Sequence, residues 1–239
     1  LQFFAGEKTE KATPKKRQDG RKKGQVLKSQ DVSAAILLLI LFLFLFFIAP
    51  SMLEGIISFL TQALHRNLLI ETVSIETVMK MYTDAIQEMA WIVLPIMVIA
   101  MVASIGANYL QFGLLFTTET LKFDLKKMDP IKGIKKIISV RAIINLIKSL
   151  LKVTLLGVVT FAIIWFYLEE VLELAFKSPW ESLTTVAYLS GLMGIAAAIM
   201  LLLISVLDYF YERYEYEKNL KMSKQDIKDE HKNSDGDPL

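Results

Sequence analysis

Polar and apolar residues fall into long blocks along this chain rather than short amphipathic rhythms. Four blocks carry no charge: Val32–Leu53 over 22 residues, Met89–Thr118 over 30, Val153–Leu168 over 16 and Ser182–Leu207 over 26. A helix needs roughly 20 apolar residues to cross about 30 Å of hydrocarbon, so the first, second and fourth blocks suffice. The third reaches only about 24 Å at a rise of about 1.5 Å per residue. It spans if Ser149–Leu151 and the charged Lys152 are counted in. The pattern therefore predicts an all-α integral membrane protein of four transmembrane helices in two hairpins, with spans at about 32–53, 89–113, 149–168 and 184–207. The first block is not a cleavable signal peptide, being too long and ending without a small-x-small pattern.

The basic residues give these spans a direction. Lys and Arg number nine in residues 1–31, two in 54–88, eight in 119–148, one in 169–181 and six from 208 onward, with Lys152 between. By the positive-inside rule both termini and the middle loop face the cytoplasm. Residues 1–31 are then a basic cytoplasmic segment, 32–208 a transmembrane domain, and 209–239 a helical linker toward a further domain. The chain begins on Leu and ends on "GDPL", so both ends are expected to be cut from a longer protein. Aromatics agree with the boundaries: Trp165, Tyr167, Trp180 and Tyr188 fall near the outer one, and Tyr209, Phe210 and Tyr211 near the inner one.

Small residues mark where spans approach one another. Ser190, Gly194 and Ala198 recur every four residues beside Ala187 and Gly191, and the second span offers Ala103 and Ala107 with Ala100 and Ser104. The charges nearest membrane depth are Lys152 and Asp208, each about one turn in from the cytoplasmic side. Either they pair, lowering the cost of burying both, or Lys152 snorkels while Asp208 is simply the first cytoplasmic residue. Asn145, Lys148 and Lys152 form one polar stripe, so the third helix is expected to start outside the membrane.

Three polar segments remain. In "EKATPKKRQDGRKKGQ", Thr13 fits a helix cap, Pro14 the first helical position and Gly24 the stop. In the middle loop Ile131, Ile134, Ile137 and Ile138 recur at helical spacing, with Lys132, Lys135 and Lys136 opposite. This predicts an amphipathic helix for an anionic membrane surface or a partner groove, opened by Asp129-Pro130 and followed by Ser139 as the cap of the next helix. After the fourth span a cytoplasmic helix continues, with Glu217 and Lys221 placed to pair at i,i+4. It is expected to break at "NSDGDP".

Composition then removes whole classes of function. The chain is 54% hydrophobic with a mean hydropathy of +0.43, and with no Cys and only His65 and His231 it lacks thiol, iron–sulfur and His-cluster chemistry. No H-E-x-x-H, G-x-S-x-G or P-loop occurs, so neither an enzyme nor a cofactor is indicated. Nucleic acid is a poor partner for the basic segment, which lacks interleaved aromatics and lies beside anionic lipids. A small-solute transporter or channel subunit would carry ionisable or broken spans at the midplane. The spans here are apolar there, favouring a membrane component of a larger assembly.

A resemblance goes further. "GEKTEKATPKKRQDGRKKGQVLKSQD", "MDPIKGIKKIISVRAIINLIKSLLK" and "YEYEKNLKMSKQDIKDEHKNSDGDP", in that order around four spans, resemble the FlhB/SctU family of type III secretion export components, the flagellar branch above all. The resemblance implies an inner-membrane part of the flagellar export apparatus, associated with FliP, FliQ, FliR and FlhA and with its own C-terminal cytoplasmic domain. It also implies that the loop 119–148 wraps the entrance of the export gate, with Ile131, Lys132, Ile134, Lys135, Lys136, Ile137 and Ile138 as contacts. The family's autocleaving Asn-Pro-Thr-His motif is absent: none of Asn67, Asn108, Asn145, Asn219 and Asn233 precedes proline.

Overall fold

The computed structural model describes residues 8–68, 74–117 and 140–235. Its elements are α1 (Pro14–Lys22), α2 (Gln30–Leu68), α3 (Ile75–Phe112), α4 (Val140–Phe166), α5 (Leu168–Glu173), a 3-10 turn (Leu174–Phe176), α6 (Pro179–Leu220) and α7 (Lys224–Asp235). Four of these, α2, α3, α4 and α6, are long and apolar enough to cross a membrane. The fold is the expected all-α one.

Short polar residues start most of these helices, because the first N–H groups of a helix have no internal acceptor. Thr13 caps α1 by accepting from the Lys16 amide at 3.1 Å, Pro14 opens it, and Gly24 takes φ +76° just past its end. That local reading of the basic segment is borne out. Ser74 does the same for α3, accepting from Thr77 N at 3.1 Å. Ser178 with Glu181, and Ser223 with Asp226, form reciprocal capping boxes at the starts of α6 and α7.

The helices outrun the predicted spans. α2 has 39 residues, about 58 Å at the helical rise, so most of the stretch expected as the outer loop 54–88 is helix. A charge such as Glu54 or Lys80 ends compatibility with hydrocarbon but not helix formation, since Leu, Met, Gln and Glu remain good helix formers. α4 begins at Val140, ahead of its apolar block, as the polar stripe predicted. The tail breaks earlier than "NSDGDP": α6 stops at Leu220 and α7 restarts at Lys224, because Ser223 caps a new helix and Met222 bonds elsewhere.

The described residues divide into two compact units, one within 33–68, 74–107 and 152–202, the other within 8–32, 108–117, 140–151 and 203–235. In the first unit small residues carry the packing. A Cβ on Gly194 would fall inside the Phe42 ring, and one on Gly191 would lie 2.8 Å from Phe46 Cδ2. Ala198 (1% exposed), Ala103 (5%) and Ala107 (1%) are buried, whereas Ser190 is exposed. The expected small-residue faces therefore hold, with Gly191 taking the place of Ser190. Outside these contacts the spans are mostly half-buried or exposed. None of the most apolar stretch of α4 is buried, leaving Leu150, Val153, Phe161 and Trp165 exposed.

Candidate functional site

The second unit carries a buried polar joint and, beside it, a clamp on the N-terminal segment. The joint is centred on Asp208, which directly follows the apolar run of α6. Asp208 is 9% exposed and Ser29, the residue before α2, is fully buried. Ser29 Oγ donates to Asp208 Oδ2 at 2.8 Å and accepts from Val32 N at 3.3 Å, capping α2 while tying it to α6. The Ser29 amide donates to Gln111 Oε1 near the end of α3 at 2.8 Å. From α4, Lys148 Nζ reaches Asp208 Oδ1 at 2.7 Å and lies 3.6 Å from the centre of the Tyr211 ring. The ammonium thus meets both a carboxylate and the negative face of a ring, each stronger where water is scarce.

Of the two charges expected to face one another, Asp208 is where the sequence put it. Lys148, one turn before Lys152 on the same polar stripe, is a lysine that reaches it. Ser29 and Gln111 escaped the sequence reading. The only signal was a Ser at the position before a long apolar run, where a cap belongs.

The clamp runs along residues 10–28. Glu10 and Met222 exchange both backbone N–H···O bonds at 3.0 Å. Thr13 Oγ1 donates to Glu230 on α7 at 2.7 Å. Arg17 and Glu217 form a two-pronged pair at 2.9 and 2.8 Å. Arg21 donates to the carbonyls of Phe112 at 2.9 Å and Leu114 at 3.3 Å, closing the end of α3 beside Gly113, whose φ is +70°. Thr117 Oγ1 donates to the Lys22 carbonyl at 2.6 Å. Glu217, expected to pair with Lys221, pairs with Arg17 instead: a planar guanidinium offers two parallel donors, where Lys221, past the helix end, offers a point charge.

Charge follows this geometry. The hydrogen bond from Arg17 holds the Glu217 carboxyl below its ordinary range, and Arg17 is in turn held more firmly protonated. The Ser223 backbone and hydroxyl bonds lower Asp226 likewise. Among the described residues no group of three acidic, His or Cys side chains is placed to hold a metal ion. Ile131, Lys132, Ile134, Lys135, Lys136, Ile137, Ile138 and Ser139 lie outside the described residues.

Residues 6–239 match the model of the "FlhB HrpN YscU SpaS Family". The chain is 48% identical over 239 residues to "Flagellar biosynthetic protein FlhB" of Bacillus subtilis, covering all of this chain and 66% of that protein. It is 32% identical to "Yop proteins translocation protein U" of Yersinia pestis, covering 98% of the chain and 66% of the relative. It is 30% identical to "Flagellar biosynthetic protein FlhB" of Aquifex aeolicus, covering 97% and 65%. The chain thus spans just under two thirds of the length of these relatives. With four apolar helices and a match along nearly its whole length, the chain belongs to the FlhB, HrpN, YscU and SpaS family of export-apparatus membrane proteins.

Proposed function

We propose that this chain is the membrane-spanning portion of an inner-membrane component of the flagellar type III protein export apparatus, associating with the export gate and helping to control substrate entry and specificity. The observation that carries the reading is the 48% identity, along all of this chain, to a flagellar biosynthetic protein. The bare apolar surface of α4 supports it physically. One face of α4, with Leu150, Val153, Phe161 and Trp165, is exposed within its own chain and is left for lipid and neighbouring helices.

In this reading both termini and the 119–148 loop face the cytoplasm, as the Lys/Arg distribution supports. The partners are the gate proteins FliP, FliQ and FliR, together with FlhA and a cytoplasmic domain following residue 239. The isoleucine face and Lys132, Lys135 and Lys136 of the loop contact the gate entrance. Autocleavage is not an activity of these residues, which hold no Asn-Pro pair. The test is co-purification: FliP, FliQ and FliR should come down with the intact protein and be lost when residues 119–148 are scrambled. Retention of all three by the scrambled protein would refute the loop's role. Transport of a small solute by the protein alone in liposomes would refute the reading as a whole.

A further inference from the structure

One concavity in the second unit borders the clamp through Arg17 and Glu217 but opens on cations that the clamp does not use. It measures about 470 Å³ and its lining includes Lys11, Arg17, Arg213, Lys218, Lys221 and Glu217. Five cations thus face one carboxylate, and Arg17 already holds that carboxylate with both prongs. Among the described residues, the side chains of Lys11, Arg213, Lys218 and Lys221 make no hydrogen bond or ion pair. Like charges gathered in a cup repel one another and raise a positive potential there, which an anion relieves.

The face of α6 that forms the cup continues toward the apolar run. Leu203, Leu207, Phe210 and Tyr214 follow at steps of four, three and four, the spacing of one helical stripe, and are 62%, 67%, 59% and 65% exposed. Tyr214 itself lines the cup. Arg213 lies six residues past Leu207, about 9 Å along the axis, and its side chain can reach back into the headgroup zone that borders the hydrocarbon.

We propose that cup and stripe form one site for an anionic phospholipid, the cationic cup taking the phosphodiester headgroup and the Leu203–Tyr214 stripe an acyl chain. The stripe favours a lipid over a soluble anion or an acidic peptide, since it leads from the cup into the membrane and neither of those would use it. The site rests on the orientation proposed above, which accessibility labelling tests separately. It needs no export-gate partner, so failure to co-purify the gate leaves it standing.

The experiment reconstitutes the protein in nanodiscs of phosphatidylcholine with or without phosphatidylglycerol, and measures bound lipid by native mass spectrometry after release into detergent. Phosphatidylglycerol should be retained selectively. Arg213→Gln/Lys218→Gln/Lys221→Gln should weaken that retention roughly a hundredfold, at about fivefold per cation near an anionic headgroup. Lys15→Gln/Lys22→Gln/Lys23→Gln removes the same charge from exposed positions on and just after α1 that do not line the cup, and should change retention less than twofold. Leu207→Ala/Phe210→Ala should weaken lipid retention as well, because the stripe holds the acyl chain. If the first triple variant does not fold, judged by its helical circular dichroism, Lys218→Gln alone should still show about a fivefold loss. Equal losses in the two triple variants would overturn the proposal in favour of diffuse attraction. Displacement of the lipid by free glycerol phosphate or an acidic peptide at comparable concentration would overturn it in favour of a soluble ligand.

Discussion

Removing the carboxylate at the centre of the polar joint, by Asp208→Ala, perturbs three helices at once. Lys148 loses its counter-charge and Ser29, fully buried, loses the acceptor of its hydroxyl. Breaking a buried ion pair by deleting one partner costs about 3–5 kcal/mol. The Lys148 side chain is 22% exposed and keeps its place over Tyr211, so the loss should fall toward the lower end. A stranded buried hydroxyl adds about 1 kcal/mol or more. Asp208→Ala is thus expected to destabilise by about 4 kcal/mol. Replacing both partners, as Lys148→Met/Asp208→Leu, strands no charge and should cost only about half as much, since apolar groups of similar volume substitute well for a buried pair. The assay is a double-mutant cycle on unfolding by SDS in mixed micelles, followed by helical circular dichroism. Lys148→Met alone strands the Asp208 carboxylate and should cost about 3 kcal/mol or more, so the two single losses should exceed the loss in the pair by several kcal/mol. Additivity of the two single losses to within about 0.5 kcal/mol would show that Lys148 and Asp208 do not support one another, and the account of the joint would be wrong.

Three further outcomes follow from the geometry. Gly194→Leu should destabilise by at least about 1–3 kcal/mol in the same assay, because its Cβ would occupy the Phe42 ring, while Gly106→Ala, with nothing within 4 Å, should be neutral or stabilising. The Ser223 amide should report a titration of Asp226 by NMR. The carboxyl is held below 3.8, so its support of α7 is fully present above that ordinary value and is lost as pH falls through the lowered one; Asp226→Asn should abolish the response. The chain has no native Cys, so Lys177→Cys should react with an impermeant maleimide on intact cells and Lys15→Cys only after permeabilisation; the reverse pattern would invert the topology.

Loss of the Arg17–Glu217 pair alone should be small. Both side chains are about 40% exposed, and such pairs contribute about 1 kcal/mol or less. The clamp holds by adding this pair to the Glu10–Met222 backbone exchange and the Thr13–Glu230 bond, which is why single substitutions in the family-like N-terminal motif are poor probes of it.

What the sequence determined by itself was whatever depends on neighbours in the chain. An uncharged run long enough for the bilayer makes a spanning helix, since helical hydrogen bonding is the one way a lone segment satisfies its backbone in hydrocarbon. Thr13, Pro14 and Gly24 bound α1 for equally local reasons. The small-residue periodicity named the packing faces, and Asn145, Lys148 and Lys152 named the polar face of α4. The tertiary structure decided which partner each member of a face meets. Lys148 and Lys152 share a stripe and differ by about 6 Å in depth. The axial offset between α4 and α6 that brings Lys148 to 2.7 Å from Asp208 is written nowhere in either segment. The same holds for Gly191 over Ser190, for Ser29 and Gln111 at the joint, and for Arg17 taking Glu217 from Lys221. Each is a choice between residues of equal local fitness, and only the register of one helix against another breaks the tie.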